Sequence, residues 1–247
     1  PLIIPNELPA AEALQSENIF TMDRGRAVTQ DIRPLKIVIV NLMPTKIATE
    51  TQLARVLSNS PLQVEMTLVT MDSHESTHIS QEHMDSFYKT IDEIKDDYFD
   101  GMILTGAPVE QMPYEQVDYW KELCEIFEFA KTHVYSSMFI CWGAQAGLYY
   151  HYGIGKHALA EEMFGIFPHR VLNKKARLLR GFDDLFYAPH SRHTESDGEA
   201  IRSTDGLEVM AESEEAGVYI AASKGRKQIF VTGHSEYDQM TLAEEYF

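Results

Sequence analysis

Cysteine is scarce in this chain of 247 residues, with only Cys124 and Cys141 present. Two cysteines form one bridge at most, which excludes a disulfide-stapled scaffold and points to a reducing compartment, the cytoplasm. Long apolar runs are also missing. No stretch reaches the roughly 18 apolar residues that mark a membrane-crossing helix, so no membrane partner is expected. Residues 1–7 lack a basic region followed by an apolar core, so no secretory signal is expected in the chain as given, and the missing initiator Met suggests trimming or incomplete coverage. Positive charge is in deficit. There are 21 Lys and Arg against 38 Asp and Glu, a formal net charge of −17. Such a surface repels phosphate backbones and argues against a nucleic-acid partner. An anionic ligand then needs a local basic or amide-lined pocket.

Hydrophobic residues make up 44% of the chain, enough for a sizeable core. Residues 1–34 read as an irregular segment punctuated by Pro1, Pro5, Pro9 and Pro34, with a short helix near Ala10 to Leu14. Residues 35–42 are short, β-branched and nearly unbroken in hydrophobicity, the pattern of a buried strand. Helical spacing follows at Leu53, Val56 and Leu57. Residues 63–70 alternate as a strand, and a helix is expected near 84–95. A strand over 100–104 runs into Thr105-Gly106-Ala107-Pro108. A helix over 115–132 carries Trp120, Leu123, Cys124, Phe127 and Ala130 on one face. A strand ends at Cys141, and Ala144 to Tyr150 forms a helix. Strand, turn and helix thus repeat about four times in the first 150 residues. This calls for an α/β fold: a parallel sheet with helices on both faces, in a single domain over 35–247. Past 165 the texture changes to short strands at 207–213, 217–222 and 228–232. No linker, repeat or low-complexity tract interrupts the chain.

In open α/β sheets functional groups gather at the carboxyl ends of strands. Three ends stand out: Asn41-Leu42-Met43-Pro44, Thr105-Gly106-Ala107-Pro108 and Cys141-Trp142-Gly143-Ala144-Gln145-Ala146-Gly147. The third is the sharpest. Cys141 follows an apolar strand directly, and Gly143 and Gly147 permit a tight turn of the nucleophile-elbow kind. The helix behind it aims its amides and positive dipole end at the sulfur, which favours thiolate. The Trp142 amide is placed to donate to an oxyanion. The competing reading is an inert buried thiol, which suits Cys124 on its apolar stripe.

A nucleophilic cysteine needs a base. Residues 228–232 form an apolar strand that ends in Gly233-His234-Ser235-Glu236-Tyr237. Residues i and i+2 of an extended segment project to the same side, so Glu236 can orient His234 and stabilise its imidazolium. The plain alternative is a surface His beside a surface Glu. His74-Glu75-Ser76-Thr77-His78 is a literal H-E-x-x-H, but Asp72, Ser73, Ile79, Ser80 and Gln81 flank it with loop composition, so no metal site is expected. His83, His190 and His193 read as polar loop residues. Ala188-Pro189-His190-Ser191-Arg192-His193 is a dense polar cluster in a loop, open to either a substrate-holding or a solvated role.

The Cys141 elbow with the distant Gly233-His234-Ser235-Glu236-Tyr237 resembles the class I glutamine amidotransferase fold, which is flavodoxin-like. The likeness narrows through Arg33-Pro34-Leu35-Lys36, Asn41-Leu42-Met43-Pro44, Gly181-Phe182-Asp183-Asp184, Ala188-Pro189-His190-Ser191-Arg192 and Thr232-Gly233-His234-Ser235-Glu236-Tyr237-Asp238. Together these resemble the homoserine O-acyltransferase family over essentially the whole chain. The resemblance implies an enzyme of methionine biosynthesis with acetyl-CoA and L-homoserine as substrates, no further cofactor, and a homodimer. It implies that Cys141 carries the acyl group as a thioester, that His234 accepts the proton, and that Glu236 supports it. It places Ser191 against substrate and Glu110 where acyl-CoA choice is made, Glu with acetyl and Gly with succinyl donors. Glu162 falls where the family usually has a substrate-binding Lys, a reversal of charge. The family also continues past the position of Phe247, with a substrate-binding Arg following there. Succinyl-CoA as donor, a glutaminase-type hydrolase, and a flavodoxin-like binding or redox-sensing protein with an oxidisable Cys141 are the alternatives.

Overall fold

A computed structural model describes residues 1–73, 79–225 and 227–246. Within it the chain divides into two compact units: residues 1–103 with 121–135, and residues 104–120 with 136–247.

The first unit opens with β1 (Leu2–Ile3), α1 (Pro9–Ser16), β2 (Thr21–Met22) and α2 (Arg24–Ala27). These short elements occupy a segment that reads as irregular in sequence. Pro9 starts α1 at the position where its missing N–H costs nothing. Leu2 and Ile3 pair in parallel with Val64 and Glu65, so the N-terminus is tied into the sheet. Then come β3 (Leu35–Val40), α3 (Lys46–Ser58), β4 (Val64–Val69), α4 (Gln81–Phe87), β5 (Tyr88–Lys89), α5 (Ile91–Ile94), β6 (Phe99–Leu104) and α6 (Trp120–His133). The helix expected near 84–95 is therefore two short helices around a strand. Ser80 caps the first through its side chain, and Thr90 with Glu93 forms a capping box on the second. The strand order is β2-β1-β4-β3-β6, with β5 beside β4. β3 and β4 run parallel from Leu35↔Val64 to Val40↔Val69. Ile39, Leu53, Leu68 and Leu14 are among the buried apolar side chains.

The second unit contains β7 (Val134–Ile140), α7 (Trp142–Tyr152), β8 (Lys156–Val171), β9 (Leu185–Ser196), α8 (Gly198–Ser203), β10 (Leu207–Ser213), β11 (Gly217–Ser223), β12 (Gln228–Val231) and α9 (Thr241–Tyr246). Its strand order is β7-β12-β11-β10-β8-β9. β12 lies parallel to β7, whereas β8 to β11 and the β11–β12 pair are antiparallel. The sheet is thus not parallel throughout. β8 and β9 form a long hairpin that the sequence pattern does not announce. Val171, Met210, Tyr219 and Ile220 form a core cluster of this unit with Leu179. One register decides where chemistry falls: Val231 pairs with Ile140. The residues that follow β7 and β12 therefore emerge side by side, at the roughly 4.8 Å spacing of neighbouring strands.

Candidate functional site

Cys141 leaves β7 with φ +51° and ψ −117°, a left-handed conformation that a side chain rarely adopts. Such strain persists only where the surroundings over-determine it. Here the Cys141 amide donates to the Val231 carbonyl at 2.8 Å, and the Cys141 carbonyl accepts from Ala144 and Gln145. Gly143 is required by close approach. A Cβ there would stand 2.5 Å from Leu104 Cδ2 and 2.6 Å from the Thr105 carbonyl oxygen. The elbow expected from sequence is present, with the thiol 8% exposed. Trp142 opens α7, so its amide has no acceptor within the helix. Its indole is fully buried.

His234 follows β12 and is 3% exposed. Its amide donates to the Pro189 carbonyl at 2.9 Å, and its ring stacks on Tyr237 at 4.2 Å. Nδ1 lies 2.8 Å from Glu236 Oε1. With Nδ1–H donating to the carboxylate, Nε2 is the nitrogen left to act on the Cys141 sulfur, which influences the imidazole. Burial alone would push the imidazole down. The Cys141 sulfur and the Glu236 carboxylate, with hydrogen bonds to both, outweigh it and raise His234 well above the ordinary histidine value. Gly233 also has no room for a side chain: a Cβ would stand 2.7 Å from the Pro189 carbonyl oxygen. Cys141, His234 and Glu236 are thus brought together, as the sequence led one to expect.

Ala188 to His193 is not a loop. It is the inner part of β9, whose alternate residues Ala188, His190, Arg192, Thr194 and Ser196 point inward and are buried. His190 is therefore a core histidine and not a polar loop residue, while His193 is exposed. An Arg192 guanidinium nitrogen contacts His190 Nδ1, and its other terminal nitrogen donates to the Ala216 carbonyl at 2.7 Å. Arginine only donates, so His190 Nδ1 accepts, and its Nε2–H must donate to His169 Nε2 at 2.9 Å. Both imidazoles are thereby held neutral. Burial pushes His169 down to about 4 and His190 to about 2, with the Arg192 charge adding to both. The sequence reading missed this set; the inward alternation of β9 was its signal, disguised by polar residue types.

The sign of the resulting pH dependence is fixed. An unfolded chain takes a proton on each histidine below about 6.5, whereas the folded chain takes none until about 4. The two histidines therefore make stability fall as pH drops from about 6.5, by up to about 1.4 kcal/mol per pH unit for each. Denaturant unfolding between pH 7.5 and 5 should show this slope. His169→Gln keeps an acceptor for His190, cannot titrate, and should make the slope shallower by about one proton.

Glu110 sits half-buried on the loop after β6. Its carboxylate accepts from the His193 amide at 2.7 Å, the Thr194 amide at 3.2 Å and the Thr194 hydroxyl at 2.9 Å. Lys156 Nζ donates to the carbonyls of Glu110 and Met112 and lies over the Tyr114 ring at 4.4 Å. Ser191 is half-buried on β9 opposite Phe164. Glu162 is 44% exposed in the register break of the β8–β9 hairpin, 3.5 Å from His193. A cavity of about 220 Å³ borders Gln145, Arg192, Ser196 and Thr232. The other conspicuous strand end in sequence, Asn41, belongs to the first unit. There Asn41 donates to the Tyr88 hydroxyl at 2.8 Å, and Tyr88 donates to buried Glu50 at 2.6 Å. His83, read as a loop residue, is buried on α4 with Nε2 3.0 Å from Glu50. A cavity of about 510 Å³ in that unit, near Ile3, Arg24 and Phe87, is lined by none of the partners of Cys141.

The His74–His78 motif lies outside the described residues. Among the described residues no three His, Cys, Asp or Glu side chains are grouped to hold a metal ion, and no helix is long and apolar enough to cross a membrane.

A strained cysteine at a strand-to-helix elbow, joined to a histidine–carboxylate pair after the neighbouring parallel strand, defines a class I glutamine amidotransferase-like α/β protein. Solved structures agree. A glutamine amidotransferase from Thermotoga maritima superposes with a TM-score of 0.58 at 12% identity, over 87% of this chain and 82% of that one. A glutamine amido transferase from Methylobacillus flagellatus gives 0.57 at 15% identity, over 87% and 75%. At these identities the likeness shows the fold alone. The family model described as homoserine O-succinyltransferase matches residues 1–247, and the chain belongs to that family. It is 58% identical over 246 residues to the homoserine O-acetyltransferase of Acetivibrio thermocellus and 60% identical to that of Clostridium beijerinckii, in both cases covering all of this chain and 81% of the relative.

Proposed function

We propose that the chain transfers an acetyl group from acetyl-CoA to the γ-hydroxyl of L-homoserine through an acyl-Cys141 intermediate. The observation that carries this reading is the Cys141–His234–Glu236 set at the β7–β12 strand ends, in a chain matched along its whole length by homoserine O-acetyltransferases. The Cys141 thiolate attacks the thioester carbonyl. The Trp142 amide donates to the oxyanion, where one such donor is worth about 3 kcal/mol. The C–S bond to CoA breaks, and the leaving thiolate takes the His234 proton. His234, now neutral at Nε2, accepts the γ-hydroxyl proton as homoserine attacks the acyl-cysteine. The Cys141 thiolate leaves, and the imidazolium–thiolate pair is restored. Glu236 keeps Nδ1 protonated and the ring in place throughout.

Glu110 supports acetyl over succinyl. Its carboxylate would face the free carboxylate of a succinyl group, and a like-charge contact in a desolvated site costs several kcal/mol. Ser191, half-buried on β9, is the hydroxyl offered to homoserine. Glu162 suits the ammonium of the amino acid, where a lysine would suit its carboxylate. CoA release measured with a thiol reagent is expected to require homoserine for turnover and to be at least tenfold faster with acetyl-CoA than with succinyl-CoA at equal concentration, a difference of about 1.4 kcal/mol. Ammonia release from glutamine without homoserine-dependent CoA release would instead indicate a hydrolase on the same residues.

A further inference from the structure

The Glu110 carboxylate is not free to wander. Three donors hold it, and all three come from His193 and Thr194 on β9. The Thr194 hydroxyl faces a second oxygen as well, Gln145 Oε1 at 3.0 Å. Gln145 is tied to the same residue from its other end, where Nε2 donates to the Thr194 carbonyl at 3.0 Å. That bond fixes the amide orientation, because a flipped amide would set oxygen against oxygen. Gln145 and Thr194 are both buried, at 2% and 4% exposure, so water cannot replace these bonds freely. Gln145 lies one helical turn after Cys141 on α7, where residues four apart are neighbours. The chain of contacts therefore runs from the nucleophile helix through Gln145 and Thr194 to Glu110. The buried Arg192 guanidinium feels the charges of both Cys141 and Glu110.

The hydroxyl of Thr194 has one proton for two facing oxygens. When it donates to Glu110 Oε2 the carboxylate is fully satisfied at this position. When it donates to Gln145, its own lone pair faces the carboxylate. The charge at residue 110 is thus fixed from β9 and from the nucleophile helix, and not by its own loop alone. Lys156 holds only the backbone of that loop.

We propose that Thr194 and Gln145 are positioning residues for acyl-donor selectivity, holding the Glu110 carboxylate where it meets the far end of an acyl group on Cys141. This rests on the reading of Glu110 given above. Without the Thr194 hydroxyl the carboxylate keeps only the two backbone amides, is held less firmly at this position and repels a succinyl donor less, while an uncharged acetyl donor is little affected.

The test compares kcat and KM for acetyl-CoA and succinyl-CoA, with homoserine saturating, in the full chain and in Glu110→Gln, Thr194→Val and Thr194→Ser. Glu110→Gln keeps the shape, removes the charge and reads the underlying assignment. It should lower the acetyl-to-succinyl ratio of kcat/KM at least tenfold. Thr194→Val should lower that ratio about threefold to tenfold, mainly through a lower KM for succinyl-CoA, and Thr194→Ser should restore it. Should Thr194→Val fail to fold, Thr194→Ala is read the same way. A ratio that moves in Glu110→Gln but not in the Thr194 variants, with both donors slowed in parallel, would assign Thr194 a merely structural role and overturn the proposal. A ratio unmoved by Glu110→Gln would remove the assignment of Glu110 and the proposal with it.

Discussion

Cys141→Ala is expected to lower kcat/KM for acyl transfer by about 10⁴-fold or more, the scale on which enzymes lose activity when the nucleophile is removed. Cys141→Ser should fare little better. A hydroxyl is a far weaker acid than a thiol, so His234 is less able to draw it into its anionic, nucleophilic form. Neither variant should unfold the protein. The elbow is held by backbone bonds to Val231, Ala144 and Gln145 and not by the thiol. The loss should therefore appear in the steady-state assay with near wild-type thermal unfolding. If Cys141→Ala retained more than about a hundredth of the activity, covalent catalysis by this thiol would be excluded.

The second large effect concerns the pair that activates it. Glu236→Gln should cost about 10²- to 10⁴-fold in kcat, by analogy with the loss of the orienting carboxylate in other triads. The pH dependence gives the sharper reading. An isolated thiol titrates near 8.5, so its thiolate falls tenfold for each pH unit below that. In the folded chain the imidazolium form of His234 is favoured by the Cys141 sulfur and by Glu236 together. An imidazolium beside a thiol favours its thiolate. Alkylation of Cys141 by iodoacetamide should remain fast at pH 6 to 7. In His234→Asn it should regain the tenfold-per-unit decline of a lone thiol, and in Glu236→Gln it should lie between the two. A wild-type profile with a single inflection near 8.5 would show that no such pair exists.

The parts of the site legible in sequence are those where one local pattern carries both position and chemistry. A short apolar run, Met138-Phe139-Ile140, ending in Cys141-Trp142-Gly143 states a strand, its end and a candidate nucleophile together. The run ending in Gly233-His234-Ser235-Glu236 does the same for the base and its support. Their pairing follows from the parallel register of β7 and β12, which local pattern does not contain. What was hidden has the opposite character. β8 is mostly exposed or half-buried and alternates weakly, so its 16 residues show no strand signal. β9 alternates well, but His190, Arg192 and Thr194 occupy its buried face, and polar residues there read as a loop. The contact of Glu110 with Thr194 joins residues 84 apart. No periodicity reports such a pair. The break in the helix at 84–95 was within reach, because Thr90 with Glu93 is a capping-box signature in the middle of the expected element.

The central claim is that an acyl group rests on Cys141 between two half-reactions. Intact-protein mass spectrometry after incubation with acetyl-CoA alone tests it most directly. A gain of one acetyl group is expected, mapped by peptide digestion to Cys141, absent in Cys141→Ala and discharged when homoserine is added. Active protein that shows no adduct with acetyl-CoA, or an adduct that homoserine does not remove, would contradict it.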